Sequence, residues 1–105
     1  MIQIKDLKAN QKKITIKVKI TDFGDSRNFY KFGKGGRICT ALGKDETGRI
    51  CIPLWNEEID KVKIGDTILI TGGFTNVFQD LLQLNAGRFG TIEVLDEDLN
   101  IEPKK

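Results

Sequence analysis

"KITIKVKIT", residues 13–21, alternates apolar and polar side chains without a break, with Ile14, Ile16, Val18 and Ile20 at every second position. A period of two residues is typical of a β-strand that buries one of its faces. The opposite face carries lysine and threonine. This single element therefore predicts both a β-sheet core and a basic outer surface.

A hairpin is predicted next in "RICTALGKDETGRICIPLW", residues 37–55, where "DETG" supplies Asp to open a turn and Gly to close it. In its second arm Ile50, Ile52 and Leu54 share one strand face, so Trp55 takes the other. If the aliphatic face is the core, Trp55 faces water. A register slip of one residue would turn Trp55 inward.

The rest of the chain predicts more strands and one short helix. "NEEIDKVKIGD", residues 56–66, indicates a helix that Asn56 caps and Gly65 ends. Strand character returns in three segments, residues 67–71, 81–87 and 88–95, and "GGFTNVFQD" at 72–80 predicts a loop.

Five or six short strands, one helix between strands 3 and 4, and no βαβ spacing predict a small all-β barrel. We expect one domain over residues 1–95, followed by a short acidic and polar tail at 96–105.

The composition narrows the classes of function. The chain has no histidine and only two cysteines, Cys39 and Cys51, which argues against zinc binding and histidine-dependent catalysis. We expect free thiols, no metal, no cofactor and no enzymatic activity. No apolar run is long enough for a membrane span, and no secretory signal is readable. We therefore expect no membrane partner and a cytoplasmic, nucleoid-associated location.

Charge is distributed unevenly along the chain. Residues 1–49 carry 12 Lys and Arg against 5 Asp and Glu, whereas residues 50–105 carry 5 against 10. This polarity indicates a basic face for a polyanion, although scattered surface lysines would give the same count.

"NFYKFGKGGR", residues 28–37, combines three rings, three cations and three glycines without a strand or helix period, and predicts a flexible loop. Its rings either pack locally, for example on Phe23, or wait for a flat partner. The same choice exists for Phe74 and Phe78, which either plug the mouth of the barrel or stack on bases.

A family resemblance bears on this choice. "IKDLKANQKKITIKVKI" at 4–20, "DETGRICIPLW" at 45–55 and "KIGDTILITGGFTNVFQDLLQLNAG" at 63–87 occur in this order. Together they resemble the single-OB-fold single-stranded DNA-binding proteins of archaea and their eukaryotic relatives of the sensor-of-single-strand type. The resemblance covers roughly residues 4–94. It implies a five-stranded OB-fold Greek-key barrel that binds single-stranded DNA across one face.

The resemblance also implies roles for particular residues. Bases would stack on three rings, namely Trp55, Phe74 and Phe78. The DNA backbone or groove would be contacted by Arg37, Arg49, Asn85 and Arg88, with Asn85 donating hydrogen bonds where eukaryotic relatives carry a ring. The Gly-rich segment, which the family does not explain, would clamp the strand through Arg27, Phe29, Tyr30, Lys31, Phe32 and Lys34; an oligomer contact is the alternative.

The function that follows is sequence-tolerant binding of single-stranded DNA in replication, recombination or repair, together with other OB subunits or repair proteins. Stacking rings do not separate deoxyribose from ribose, so RNA binding in translation or decay is one alternative. The other is a non-catalytic OB subunit that uses the same rings to bind protein partners.

Overall fold

A computed structural model of the chain describes residues 1–87 and 90–96. Within these ranges a 3-10 turn at Ile4–Asp6 precedes six strands and one helix. In chain order the elements are β1 (Ile14–Lys31), β2 (Lys34–Asp45), β3 (Gly48–Trp55), α1 (Glu57–Lys61), β4 (Thr67–Phe78), β5 (Leu81–Asn85) and β6 (Thr91–Leu95). No helix in the described ranges is long and apolar enough to cross a membrane.

The strands form one sheet in the order β1-β2-β3-β5-β4-β6, and an additional pairing of β1 with β4 closes it into a barrel. β1 serves two neighbours because it is long and bent. Its first half pairs with β4 and its second half with β2, with register shifts between Ile20 and Asp22 and between Phe23 and Ser26. The predicted all-β barrel and the helix between strands 3 and 4 are confirmed. The sheet has six strands, where the residue pattern predicted five or six and the family resemblance five.

The barrel core contains the apolar positions that alternation predicts. Ile16, Val18, Ile52 and Leu54 are fully buried, as are aliphatic side chains of β4 and β5. Burying one such side chain contributes roughly 1.5–3 kcal/mol, so this face of each strand cannot turn outward cheaply. The core therefore fixes which side chains of β3 face water.

The turn between β2 and β3 is held by Asp45, whose carboxylate is buried. Its Oδ1 accepts hydrogen bonds from the N–H and hydroxyl of Thr47 (2.7 and 2.6 Å), and its Oδ2 accepts one from the Ile4 N–H (2.8 Å). One side chain thus shapes the hairpin and anchors the N-terminal segment. The hairpin and its predicted turn are confirmed.

The helix is shorter than predicted and is not capped by Asn56. α1 covers Glu57–Lys61, and Asn56 has φ +54° with no side-chain bond into the helix. Its Oδ1 instead accepts from the Arg37 backbone N–H (3.0 Å), while Glu58 Oε1 accepts from the Trp55 N–H (2.9 Å). Asn56 is therefore used to join β2 to the start of the helix.

Two segments predicted as loops are strands. β4 runs unbroken through residues 72–78 and turns into β5 at Gln79 and Asp80, whose φ values are +52° and +67°. The Gly-rich segment is the end of the β1–β2 hairpin, which turns at Phe32 and Gly33 with φ +53° and +78°. Positive φ at both central residues matches the right-handed twist of paired strands. We call residues 26–38 the arm.

Candidate nucleic-acid interface

Trp55 ends β3 on the outer side of the barrel. Because Leu54 turns into the core, alternation turns Trp55 outward, and 44% of its surface is exposed. The Phe29 ring meets the indole edge to face, with centroids 5.6 Å apart and planes at 75°. Phe29 thus contacts one side of the indole, and nearly half of the Trp55 surface stays exposed. The outward direction of Trp55 is the one predicted from the strand pattern.

Phe74 and Phe78 lie four positions apart on β4 and so project from the same face of that strand. They are 38% and 52% exposed, so they do not plug the barrel. The Phe74 ring packs over Gly87, where an added Cβ would lie 2.6 Å from Phe74 Cε1. Phe78 lies opposite Leu81 in the β4–β5 hairpin. Strand geometry, rather than a loop, fixes the direction of both rings.

Strand register brings the three rings onto one face. Cys51, on the same side of β3 as Trp55, is level with Gln83 of β5, and Gln83 pairs with Asn76 between the two phenylalanines. Residues in register project to the same side of a sheet. Only β5 separates β3 from β4, so these two strands lie two strand spacings apart, or about 10 Å.

A pair of amides occupies the space between the rings. Asn85 lies opposite Phe74, is only 8% exposed, and donates through Nδ2 to Asn76 Oδ1 (2.9 Å). The structure therefore places the predicted Asn85 behind the surface and Asn76 at it. Sequence reasoning missed Asn76, although its position midway between Phe74 and Phe78 on a strand would have indicated the shared face.

The arm explains why rings and glycines alternate in this segment. Phe29 lies over Gly36, where an added Cβ would come within 2.3 Å of Phe29 Cζ. Tyr30 is paired with Gly35 and takes the opposite face. A glycine across from an aromatic residue lets the ring cover the neighbouring strand, which stabilises an otherwise weak hairpin. The segment predicted as a flexible loop is thus a pair of antiparallel strands.

Four cations border the rings, and within residues 1–87 and 90–96 none of them has an ion-pair partner: Arg27, Lys31, Lys34 and Arg49. Arg27 and Lys31 alternate with Phe29 and share its face, which is the face that meets Trp55. A cleft of about 400 Å³ opens there, and Ile38 is among the residues that line it. Apolar rings and unpaired positive charge therefore occur together on one surface.

Most of the chain, residues 6–94, matches a protein family described as single-stranded DNA binding protein Ssb-like, OB fold. The chain belongs to this Ssb-like family. The resemblance read from the sequence is thereby confirmed, and the closed six-stranded sheet is a member of the OB fold.

Archaeal proteins are among the relatives of this Ssb-like chain. It is 28% identical over 96 residues to the single-stranded DNA binding protein Ssb of Saccharolobus solfataricus, covering 91% of this chain and 65% of that relative. An OB domain from Thermoplasma acidophilum has a TM-score of 0.78 at 20% identity, covering 97% of this chain and 92% of that domain. The second OB-fold domain of replication protein A from Methanococcus maripaludis has a TM-score of 0.73 at 26% identity, covering 93% and 97%.

Arg37, which the sequence predicted as a DNA contact, points away from the Trp55 face of the Ssb-like fold. Its guanidinium pairs with Asp60 of α1 (2.7 Å) and donates to the Asn56 carbonyl (3.3 Å), on the side of β2 opposite Ile38. The hydrogen bond and the attraction between the charges raise the pKa of Arg37 and lower that of Asp60. The structure thus separates Arg37 from the Trp55 face and gives it the task of joining α1 to the arm.

Two further predictions concern parts of the chain outside the described residues. Arg88, predicted to contact phosphate, is one of them. The tail is the other, since only Asp96 of residues 96–105 is described.

Proposed function

We propose that this chain binds single-stranded DNA without strong sequence preference, by stacking bases on Trp55, Phe74 and Phe78. The observation that carries the proposal is the half-exposure of three rings on one face, beside cations that have no ion-pair partner among the described residues. Stacking on a protein ring contributes about 1–3 kcal/mol per base and accepts every base, because each has a π-face.

Phosphates supply the second part of the proposed affinity. Arg49 shares the outer face of β3 with Trp55, and the basic side of the arm extends the positive surface beyond it. Arg88 is proposed to contact the backbone with them, and Asn76, held by Asn85, to hydrogen-bond a base or sugar. Each neutralised phosphate releases counterions, so binding weakens as salt concentration rises.

The biological role proposed is protection of exposed strands in replication, recombination or repair, inside the cell and on the nucleoid. It is a binding role rather than a catalytic one. Residues 1–95 act as one nucleic-acid-binding domain. One OB fold covers about 4–16 nucleotides, so several copies, or association with other OB subunits or repair proteins, are needed to coat a longer strand.

The single Trp tests the proposal directly. Trp55 fluorescence is followed while oligo-dT, oligo-U or duplex DNA of equal length is added at two salt concentrations. We expect saturable quenching by oligo-dT that duplex DNA does not reproduce and that weakens with salt. Equal or stronger quenching by oligo-U would assign the face to RNA. No change with any of the three would assign Trp55 to a protein interface, for which salt has little effect.

A further inference from the structure

The turn at the tip of the arm contains a residue in an unfavourable backbone conformation. Phe32 has φ +53°, and it is the only aromatic residue among the six described non-glycine residues with positive φ. Positive φ is strained for a bulky side chain, and asparagine or glycine is the usual choice at this position of the turn. The Phe32 ring is 95% exposed, so no packing within the described residues compensates for the strain.

The neighbours of Phe32 add a second unfavourable feature. Lys31 and Lys34 are directly opposite each other across the hairpin, and like charges in that position repel. No Asp or Glu occurs between residues 26 and 44, whereas five Lys and Arg do. An anionic partner would relieve this repulsion, and a flat partner would cover the ring.

Exposure separates Phe32 from the other candidate rings. Trp55, Phe74 and Phe78 are 38–52% exposed and can offer a base one face. Phe32 is free on both faces, and a ring that is free on both faces can enter between two bases. Apolar side chains that insert in this way unstack a base step and bend the strand.

The arm itself is positioned for this contact. Phe29 fixes it against Trp55, and Phe32 is three residues further along, about 10 Å beyond Phe29. Lys31 shares the face of Phe29, so its charge and that of Lys34 lie on the side toward Trp55. A single strand of DNA that leaves Trp55 along the arm would meet Lys31 and Lys34 and then the Phe32 ring.

From this geometry we infer that Phe32 is a wedge that inserts between two consecutive bases of the bound single strand, with Lys31 and Lys34 on the flanking phosphates. The inference rests on the proposed function and extends its site beyond Trp55. Phe29 takes another role, since it positions Trp55 and the arm. Tyr30 is paired with Gly35 and projects from the opposite face of the arm.

Phe32→Asn tests the wedge, because it removes the ring and installs Asn-Gly, the preferred sequence for this turn. The melting temperature is expected to stay the same or rise. Affinity for an oligo-dT of about 16 nucleotides is expected to fall by about 5- to 150-fold, the contribution of one stacked base, and affinity for one of about 4 nucleotides to stay unchanged. Phe32→Tyr keeps the ring and is the matched control, which should retain affinity.

Insertion itself is read from adjacent 2-aminopurines moved stepwise along the oligonucleotide. The wild type should raise their fluorescence at one step, and Phe32→Asn should abolish that rise. Unchanged affinity of Phe32→Asn at both lengths overturns the inference, as does a loss of affinity without the step-specific signal, which indicates stacking on one base only. A fall in melting temperature also overturns it, because the ring would then serve folding. If the wild type binds no oligo-dT at all, the proposed function fails first.

Discussion

Replacing Gly36 with alanine should change the surroundings of Trp55 indirectly, by displacing Phe29. An alanine Cβ at residue 36 would lie 2.3 Å from Phe29 Cζ, so the Phe29 ring has to leave its position. The edge-to-face contact with Trp55 is then lost, which costs about 0.5–1.5 kcal/mol beyond the buried area. Including the area that Phe29 covers, we expect Gly36→Ala to lose about 1–2 kcal/mol.

The neighbouring glycine offers a matched control. An alanine Cβ at Gly35 would have Tyr30 Cδ1 as its nearest atom, at an ordinary 3.8 Å. Neither glycine has a positive φ, so both variants gain the same small entropic benefit from the stiffer unfolded chain. The difference between the two variants isolates the displaced ring.

Thermal unfolding and Trp55 emission provide the assay. A domain of this size shifts its melting temperature by about 4–8 °C per kcal/mol, so Gly36→Ala should melt roughly 4–16 °C below Gly35→Ala. Its Trp55 emission should shift to longer wavelength, as the indole loses its ring neighbour. Equal melting temperatures together with equal emission would refute the claim that Phe29 is held over Gly36 and orients Trp55.

Three further outcomes are expected. Trp55→Ala should weaken oligo-dT binding by about 5- to 150-fold in fluorescence anisotropy, and it should cost about 1–3 kcal/mol in urea unfolding because the contact with Phe29 and the buried half of the indole are lost. Lys31→Ala should reduce the slope of log affinity against log salt by about 0.7, and Arg37→Ala should leave the slope unchanged because its guanidinium faces Asp60; equal effects would contradict the separation of the two faces. Asp45→Ala should cost about 1–3 kcal/mol in urea unfolding, since it leaves the buried Ile4 N–H without its acceptor; a loss below about 1 kcal/mol would contradict that role.

The sequence predicts the parts of this fold that depend on local alternation. The side chains that turn inward are the alternate residues of β1 and β3 that the spacing predicts, namely Ile14, Ile16, Val18, Ile20, Ile50, Ile52 and Leu54. Trp55 turns outward as a consequence. Here the two-residue period and the burial of aliphatic side chains act in the same direction, so propensity and tertiary structure agree. The family resemblance then supplied the OB topology that alternation alone leaves undetermined.

The sequence does not predict strands whose stability comes from a distant partner. Gly73 looks like a strand breaker, yet a Cβ there would lie 2.9 Å from the Asn85 carbonyl oxygen, so glycine is what lets β4 and β5 approach. Gly36 looks like part of a flexible loop, yet it makes room for Phe29. In both cases the residue that explains the glycine lies on another strand, and local propensity carries no information about it.

The three stacking rings and the cations beside them come from different halves of the chain. Trp55, Phe74 and Phe78 follow residue 50, in the half with excess acid, whereas the four cations that border them lie within residues 1–49. The barrel brings the halves together because β3 lies between β2 and β5. Salt screens the charge contribution and leaves stacking largely intact. As the salt concentration rises, variants that remove a positive charge, such as Lys31→Ala, should therefore converge on the wild-type affinity. Variants that remove a ring, such as Phe74→Ala, should keep their full loss of affinity.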